Sequence, residues 1–289
     1  MAVKFFGQFL VEQGVVNRDA LLQAVDLQEQ TNLKFGEMVV DMKLMTIAEV
    51  ERVNLAQRSE DLQFGDMAVK LGIITAAQVQ QVLTTQRNNH LYIGEALIKV
   101  GALSPEQLQK NLQAFKQDQQ PYLATTIEIP SGIPHQPMWE MVADLTYKML
   151  TRVAKIPFRP GLCTLVDKLP ERPIAAGLSF SGAVNARYLM AVTENIRNQI
   201  AKAILDEESV DDEPLEVLDD AVREFINIVC GNVAAKAAQL GFTLEIDPPE
   251  TYSQGTTGMD IPQDWVGLVF PLHSFAGESF ELVVLIANA

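Results

Sequence analysis

Cysteine is nearly missing from this 289-residue chain: Cys163 and Cys230 stand far apart, with no C-x-x-C. That usage supplies neither a zinc site nor a disulfide framework, and a reducing cytoplasm is the expected setting. Positive charge is scarce too. Lys and Arg number 22 against 37 Asp and Glu, a formal charge of −15, which argues against nucleic acid because phosphate backbones need clustered bases. No run approaches the roughly 18 unbroken apolar residues of a membrane span, so no membrane insertion is expected. The opening MAVKFFGQFLVEQG lacks the apolar core and small-residue cleavage site of a signal peptide and reads as mature sequence. His90, His135 and His273 are isolated, with no H-x-x-x-H or paired cysteine to hold a metal. Without a G-x-G-x-x-G, a Walker loop or a G-x-S-x-G, a nucleotide-dependent enzyme or a serine hydrolase has no support. The scattered methionines read as core filler.

What is present begins with a repeat. Gly7, Gly36, Gly65 and Gly94 are 29 residues apart, and so are Asn17, Thr46, Thr75 and Ser104. Gln28, Gln57 and Gln86 keep the same step, with Phe115 in the fourth place. Each unit reads as a helical hairpin. A short helix opens at the Gly, and the Asn, Thr or Ser then caps a longer amphipathic helix. Thr46–Glu49, Thr75–Gln78 and Ser104–Gln107 have capping-box spacing, and Pro105 suits a first helical position. One hairpin cannot bury a core, so the four are expected to pack together as one all-α domain over residues 1–117.

These units resemble the MshEN-type domain of type II secretion and pilus ATPases, in which R-L-G-x-x-L-V-x-x-G followed by L-x-x-x-L-x-x-Q recurs. Some members of that family bind cyclic di-GMP. The leading Arg of the motif is here Phe5, Lys34, Gln63 and Tyr92, and Lys43 replaces the second Gly of the second unit. None of these reproduces the planar, bidentate contact of Arg with guanine or phosphate. A docking, dimerisation or regulatory role is therefore expected ahead of cyclic di-GMP binding.

Residues 118–135 have linker composition: the stretch 116–137 carries four prolines, with one possible short strand at TTIEI. Beyond it, MWEMVADLTYKMLTRVA and ENIRNQIAKAIL read as helices. GLCTLVDKL, IAAGLSFSG, ARYLMAVT, FTLEIDPP, WVGLVFPLHS and ESFELVVLIA read as strands, the last two forming a hairpin across FAG. The grouping predicts an α+β domain over 136–289, a mostly antiparallel sheet with helices laid on it. Between Asp206 and Asp220 lie nine carboxylates and no base, a solvated loop that could also steer a basic partner.

One more helix is expected at about 215–240. Leu218, Val222, Phe225, Ile226, Val229, Val233, Ala237 and Leu240 fall on one side of it. Asp220, Glu224, Asn227 and Gly231 fall opposite, at about 160°, 200°, 140° and 180° from the apolar centre at 100° per residue. Asn and Gly both weaken a helix relative to Ala, Gly by about 1 kcal/mol. A face needing only solubility would carry Lys, Arg or Glu. Gly231 allows a close approach to backbone, and an amide beside a carboxylate can hold a water in line for attack.

The order Asp220, Glu224, Asn227 resembles the signature of the CheC and CheX chemotaxis phosphatases. Between Asn227 and Pro248 or Pro249 lie 20 or 21 residues, about one residue short of the family's spacing. The resemblance implies hydrolysis of aspartyl phosphate on a CheY-like response-regulator receiver domain. Asn227 would be the catalytic amide and Glu224 the residue that docks on the receiver's lysine, with Asp220 and Gly231 in the docking surface. No cofactor of its own is implied, since Mg²⁺ belongs to the receiver. The other candidate helix has Glu140 but Ala143 three places on, so one site per chain and a homodimer of the CheX kind are expected. The alternative is a non-catalytic signalling adaptor that binds receivers, with the N-terminal domain taking cyclic di-GMP or a protein partner. A purely architectural dimer is a third reading, and burial of the Asp220–Gly231 row in a self-interface would mark it.

Overall fold

A computed structural model describes residues 4–119, 126–252, 260–275 and 277–287. Two compact units divide the chain, Met1–Pro121 and Tyr122–Ala289. The first is all helical among its described residues. Short helices α1 (Phe6–Glu12), α3 (Phe35–Asp41), α5 (Phe64–Lys70) and α7 (Ile93–Lys99) alternate with longer ones. Those are α2 (Arg18–Thr31), α4 (Ile47–Ala56), α6 (Ala76–Asn89) and α8 (Pro105–Gln119).

The capping residues do what their spacing requires. Asn17 Oδ1 accepts from the Ala20 amide at 2.8 Å. Thr75 N donates to Gln78 Oε1 at 2.8 Å while Gln78 N donates back to Thr75 Oγ1 at 3.3 Å, and Thr46 with Glu49 and Ser104 with Gln107 repeat the exchange. Each such cap is worth about 1 kcal/mol. The four periodic glycines mark the crossing of the helices within a hairpin. A Cβ on Gly7, Gly36, Gly65 or Gly94 would meet Leu21, Val50, Val79 or Leu108 at 2.6, 3.2, 2.8 or 2.5 Å. The residue that closes each short helix is left-handed, with φ of 67°, 69° and 77° at Gly14, Gly72 and Gly101 and 57° at Lys43.

The four hairpins lie within one compact unit but do not share one core. The hairpins pair as first with fourth and second with third, around two separate hydrophobic clusters. Reciprocal polar contacts explain the choice. In the outer pair Gln28 Nε2 donates to Leu91 O at 3.0 Å, and Asn32 takes the Leu91 amide at 2.7 Å. By the same geometry the Lys4 amide donates to Gln119 Oε1 at 2.6 Å. In the inner pair Gln57 donates to Leu62 O at 2.7 Å and Gln86 to Leu33 O at 3.0 Å. Phe115, where a fourth Gln was due, instead fills the outer core against Phe6 and Phe9, with ring centroids 5.3 and 5.4 Å away.

The second unit is α+β. Its sheet runs β1 (Phe158–Pro160), β7 (Trp265–Ser274), β8 (Ser279–Ala287), β4 (Ala186–Val192), β3 (Ile174–Gly182), β5 (Leu244–Ile246), with every pairing antiparallel. β2 (Thr164–Val166) also pairs with β7, and β6 (Glu250–Tyr252) with β3. Helices α9 (Gln136–Arg152), α10 (Glu194–Leu205) and α11 (Leu215–Gln239) share one core with the sheet, through Trp139, Leu178, Tyr188, Phe225, Phe270 and Phe280 among others.

Four local expectations change. GLCTLVDKL is strand only at Thr164–Val166, and β1 lies just ahead of it: the register slips by one residue between Pro160↔Leu272 and Thr164↔Val269. Pro271 stands opposite the slip and has no N–H to offer the ladder. Gly161 instead donates its own amide to Pro271 O at 2.8 Å. In FTLEIDPP only Leu244–Ile246 is strand, because the prolines interrupt pairing before β6 resumes it. Residues 126–129 of TTIEI are irregular, and residue 125 lies outside the described residues. Leu240 is 59 % exposed rather than buried, because α11 ends at Gln239 and Leu240 is its cap.

Candidate functional site

α11 is a 25-residue helix whose buried side is apolar: Leu218, Val222, Phe225, Ile226, Val229, Val233 and Ala237 are each at most 3 % exposed. Glu216 in its first turn and Lys236 in its last complement the helix dipole. Two further contacts fix the rod. The Asn232 amide, buried, donates to Ile228 O at 2.8 Å. Arg197 of α10, also buried, lies 3.6 Å from Asp219 Oδ1, a buried oxygen with no hydrogen bond among the described residues. Val210 anchors the acidic loop ahead of the helix, packing with Ala201, Leu218 and Ala221.

On the opposite side Asp220, Glu224, Asn227 and Gly231 are all exposed. A Cβ built on Gly231 meets nothing within 4 Å, so the fold itself does not need glycine there. Neither the Glu224 carboxylate nor the Asn227 amide has a hydrogen bond or ion pair among the described residues. They stand one turn apart on a rigid element and are open to another molecule. Asp220 differs, because its carboxylate is ion-paired with Arg223. Sequence reading passed over that pair, although the separation of three residues on a helix is the signal for it.

On α9, Glu140 is exposed but Ala143 is fully buried against the core. That helix has no amide three places beyond Glu140, and its one carboxamide, Gln136, donates to Pro130 O at 2.9 Å.

Other chemistry is sparse. His273 Nδ1 lies 3.1 Å from Ser279 Oγ, and burial holds the imidazole below its ordinary pKa. Among the described residues no three His, Cys, Asp or Glu side chains gather as a metal site. A cleft of about 390 Å³ is lined by residues 126–130, Tyr147, Pro160 to Cys163 and Phe270, and includes none of the row on α11. Burial pushes the Cys163 thiol up to about 12 and raises the Tyr147 phenol as well. Cys230, wholly buried, is raised for the same reason, and both cysteines are free. No helix among the described residues is long and apolar enough to cross a membrane.

Comparison with known proteins bears on this unit. Residues 174–273, from β3 through most of β7, match the family model described as Chemotaxis phosphatase CheX. Among solved structures, the chain is similar to a chemotaxis protein CheX from Desulfovibrio desulfuricans, with 17 % identity and a TM-score of 0.46 over 52 % of this chain and 99 % of that one. A CheC-like superfamily protein from Shewanella sp. PV-4 has 19 % identity and a TM-score of 0.46, over 53 % of this chain and 99 % of that one. For a CheX–CheY–BeF3–Mg²⁺ complex from Borrelia burgdorferi the values are 17 % and 0.45, over 53 % and 98 %. No curated protein matches the chain.

Proposed function

We propose that this protein is a phosphatase that hydrolyses aspartyl phosphate on a CheY-like receiver domain, with α11 as its working surface. The observation that carries the reading is the pair Glu224 and Asn227, exposed and unpartnered on a rigid helix inside the segment that matches the CheX model. Asn227 enters the receiver's site and orients the attacking water by donating and accepting through one amide. Glu224 pairs with the receiver's lysine and sets the register of docking. The open backbone at Gly231 lets the two surfaces close together. The receiver brings the phosphorylated aspartate and its own Mg²⁺, and the phosphatase chain supplies the amide that positions the water. Ala143 leaves α9 without an amide three places beyond Glu140, so one site per chain is proposed, with a homodimer through the CheX-like unit as the working assembly.

The paired hairpins of the first unit serve as a docking or regulatory domain of the MshEN kind. Tyr92, Gln63 and Lys34, exposed where that family has Arg, favour a protein partner over cyclic di-GMP.

The test is the lifetime of acetyl-phosphate-charged receivers from the same genome, measured with and without the full chain. Accelerated release of inorganic phosphate is expected from at least one receiver. No acceleration with any of them refutes the reading, and tight binding without hydrolysis identifies an adaptor instead.

A further inference from the structure

We infer that Arg223, held by Asp220 at the edge of the exposed row on α11, is a charge-stabilising residue that turns to the phosphoryl group of the docked partner. The inference rests on the phosphatase reading and adds to it a residue outside the Asp220, Glu224, Asn227 signature.

Arg223 is the only cation between Leu215 and Ala235. At 100° per residue it lies about 40° to one side of Asn227, with Glu224 about 60° to the other. It precedes Asn227 by four residues, so their Cβ atoms are roughly 6 Å apart and the longer guanidinium reaches whatever the amide touches. Its side chain is 35 % exposed and that of Asp220 55 %, so the pair sits at the rim of the row and not beneath the fold. The structure shows no need for the pair elsewhere, since α11 is fastened to its neighbours by its apolar side and by Arg197 with Asp219.

The chemistry sets what a cation does there. In hydrolysis the water oxygen bonds to phosphorus and the bond from phosphorus to the aspartyl oxygen breaks. The electron pair of that bond stays on the carboxylate, and a water proton passes to solvent. Negative charge on the phosphoryl oxygens must be stabilised throughout, and a guanidinium offers two parallel donors to them. One half-exposed carboxylate is a weak competitor for it. In the free protein the ion pair with Asp220 keeps the cation aligned along the helix.

The experiment measures phosphate release from a responding receiver by wild-type protein, Arg223→Gln, Arg223→Lys and Asn227→Ala, with thermal unfolding of each. Arg223→Gln is expected to lower kcat about tenfold with KM and unfolding temperature little changed, and Arg223→Lys to restore part of kcat. Full activity in Arg223→Gln overturns the inference. A loss that tracks unfolding temperature, or one that Lys does not recover, overturns it too, because the arginine is then only a structural tether. If Asn227→Ala abolishes release while Arg223→Gln does not, the phosphatase reading survives and this inference alone fails. If the wild-type chain releases nothing from any receiver, both fall.

Discussion

Gly231 separates folding from function, because the two demands on it point in opposite directions. It lies in the interior of α11, where glycine costs about 1 kcal/mol relative to alanine through backbone entropy. Nothing in the fold requires that cost, since a Cβ there meets no atom within 4 Å and no positive φ is involved. Gly231→Ala should therefore stabilise the protein by about 1 kcal/mol, a rise of roughly 2–4 °C in Tm for a unit of this size. Gly231→Gln should still gain roughly half of that. Against a docked partner the sign reverses. A Gln side chain in a closely packed contact costs about 1–3 kcal/mol, a loss of roughly five- to a hundredfold in partner affinity. The assays are differential scanning calorimetry of the free chain and phosphate release from a charged receiver. A fall in Tm for Gly231→Ala would refute the local geometry. Unchanged affinity and release rate in Gly231→Gln would refute the placing of the partner on this face.

The two central side chains should separate as well. Asn227→Ala is expected to abolish accelerated phosphate release while receiver binding, followed by calorimetry, stays within a few-fold; full release in that variant contradicts the proposed role. Glu224→Ala should weaken binding about tenfold or more through loss of a charge-assisted contact, and unchanged affinity would remove it from the interface. In the first unit, Lys43 has φ of 57° where the equivalent residues are glycines, and a side chain in that region costs about 1–2 kcal/mol. Lys43→Gly should raise stability by about 0.5–1 kcal/mol once glycine's unfolded-state entropy is counted; a lower denaturation midpoint would contradict this. Cys163, with its thiol pushed up to about 12, is protonated at pH 8 and should gain reactivity only at higher pH. Its alkylation by iodoacetamide in the native protein should be about a thousandfold slower than that of a free thiol, and labelling at the free-thiol rate at pH 8 would show the site to be open.

Most of the local architecture was legible in the sequence because the forces that set it act over three or four residues. Asn17, Thr46, Thr75 and Ser104 cap the longer helices from within their own turn. The apolar stripe from Leu218 to Ala237 identifies α11 by period alone, and its complement already holds Glu224 and Asn227. The choice of hairpin partners was not legible. Four near-equivalent units offer the same glycines and glutamines, and contacts 53 to 115 residues apart, such as Gln86 with Leu33, Asn32 with Leu91 and Lys4 with Gln119, decide which pairs form. The slip between β1 and β2 likewise depends on Pro271, more than a hundred residues further on.

For the candidate site, sequence alone determined which side chains share a face, because helical periodicity is a property of the chain. Whether that face would be covered depended on where α9, α10 and the sheet found room. Packing them all against the apolar side of α11 is what leaves the carboxylate and the amide in the open.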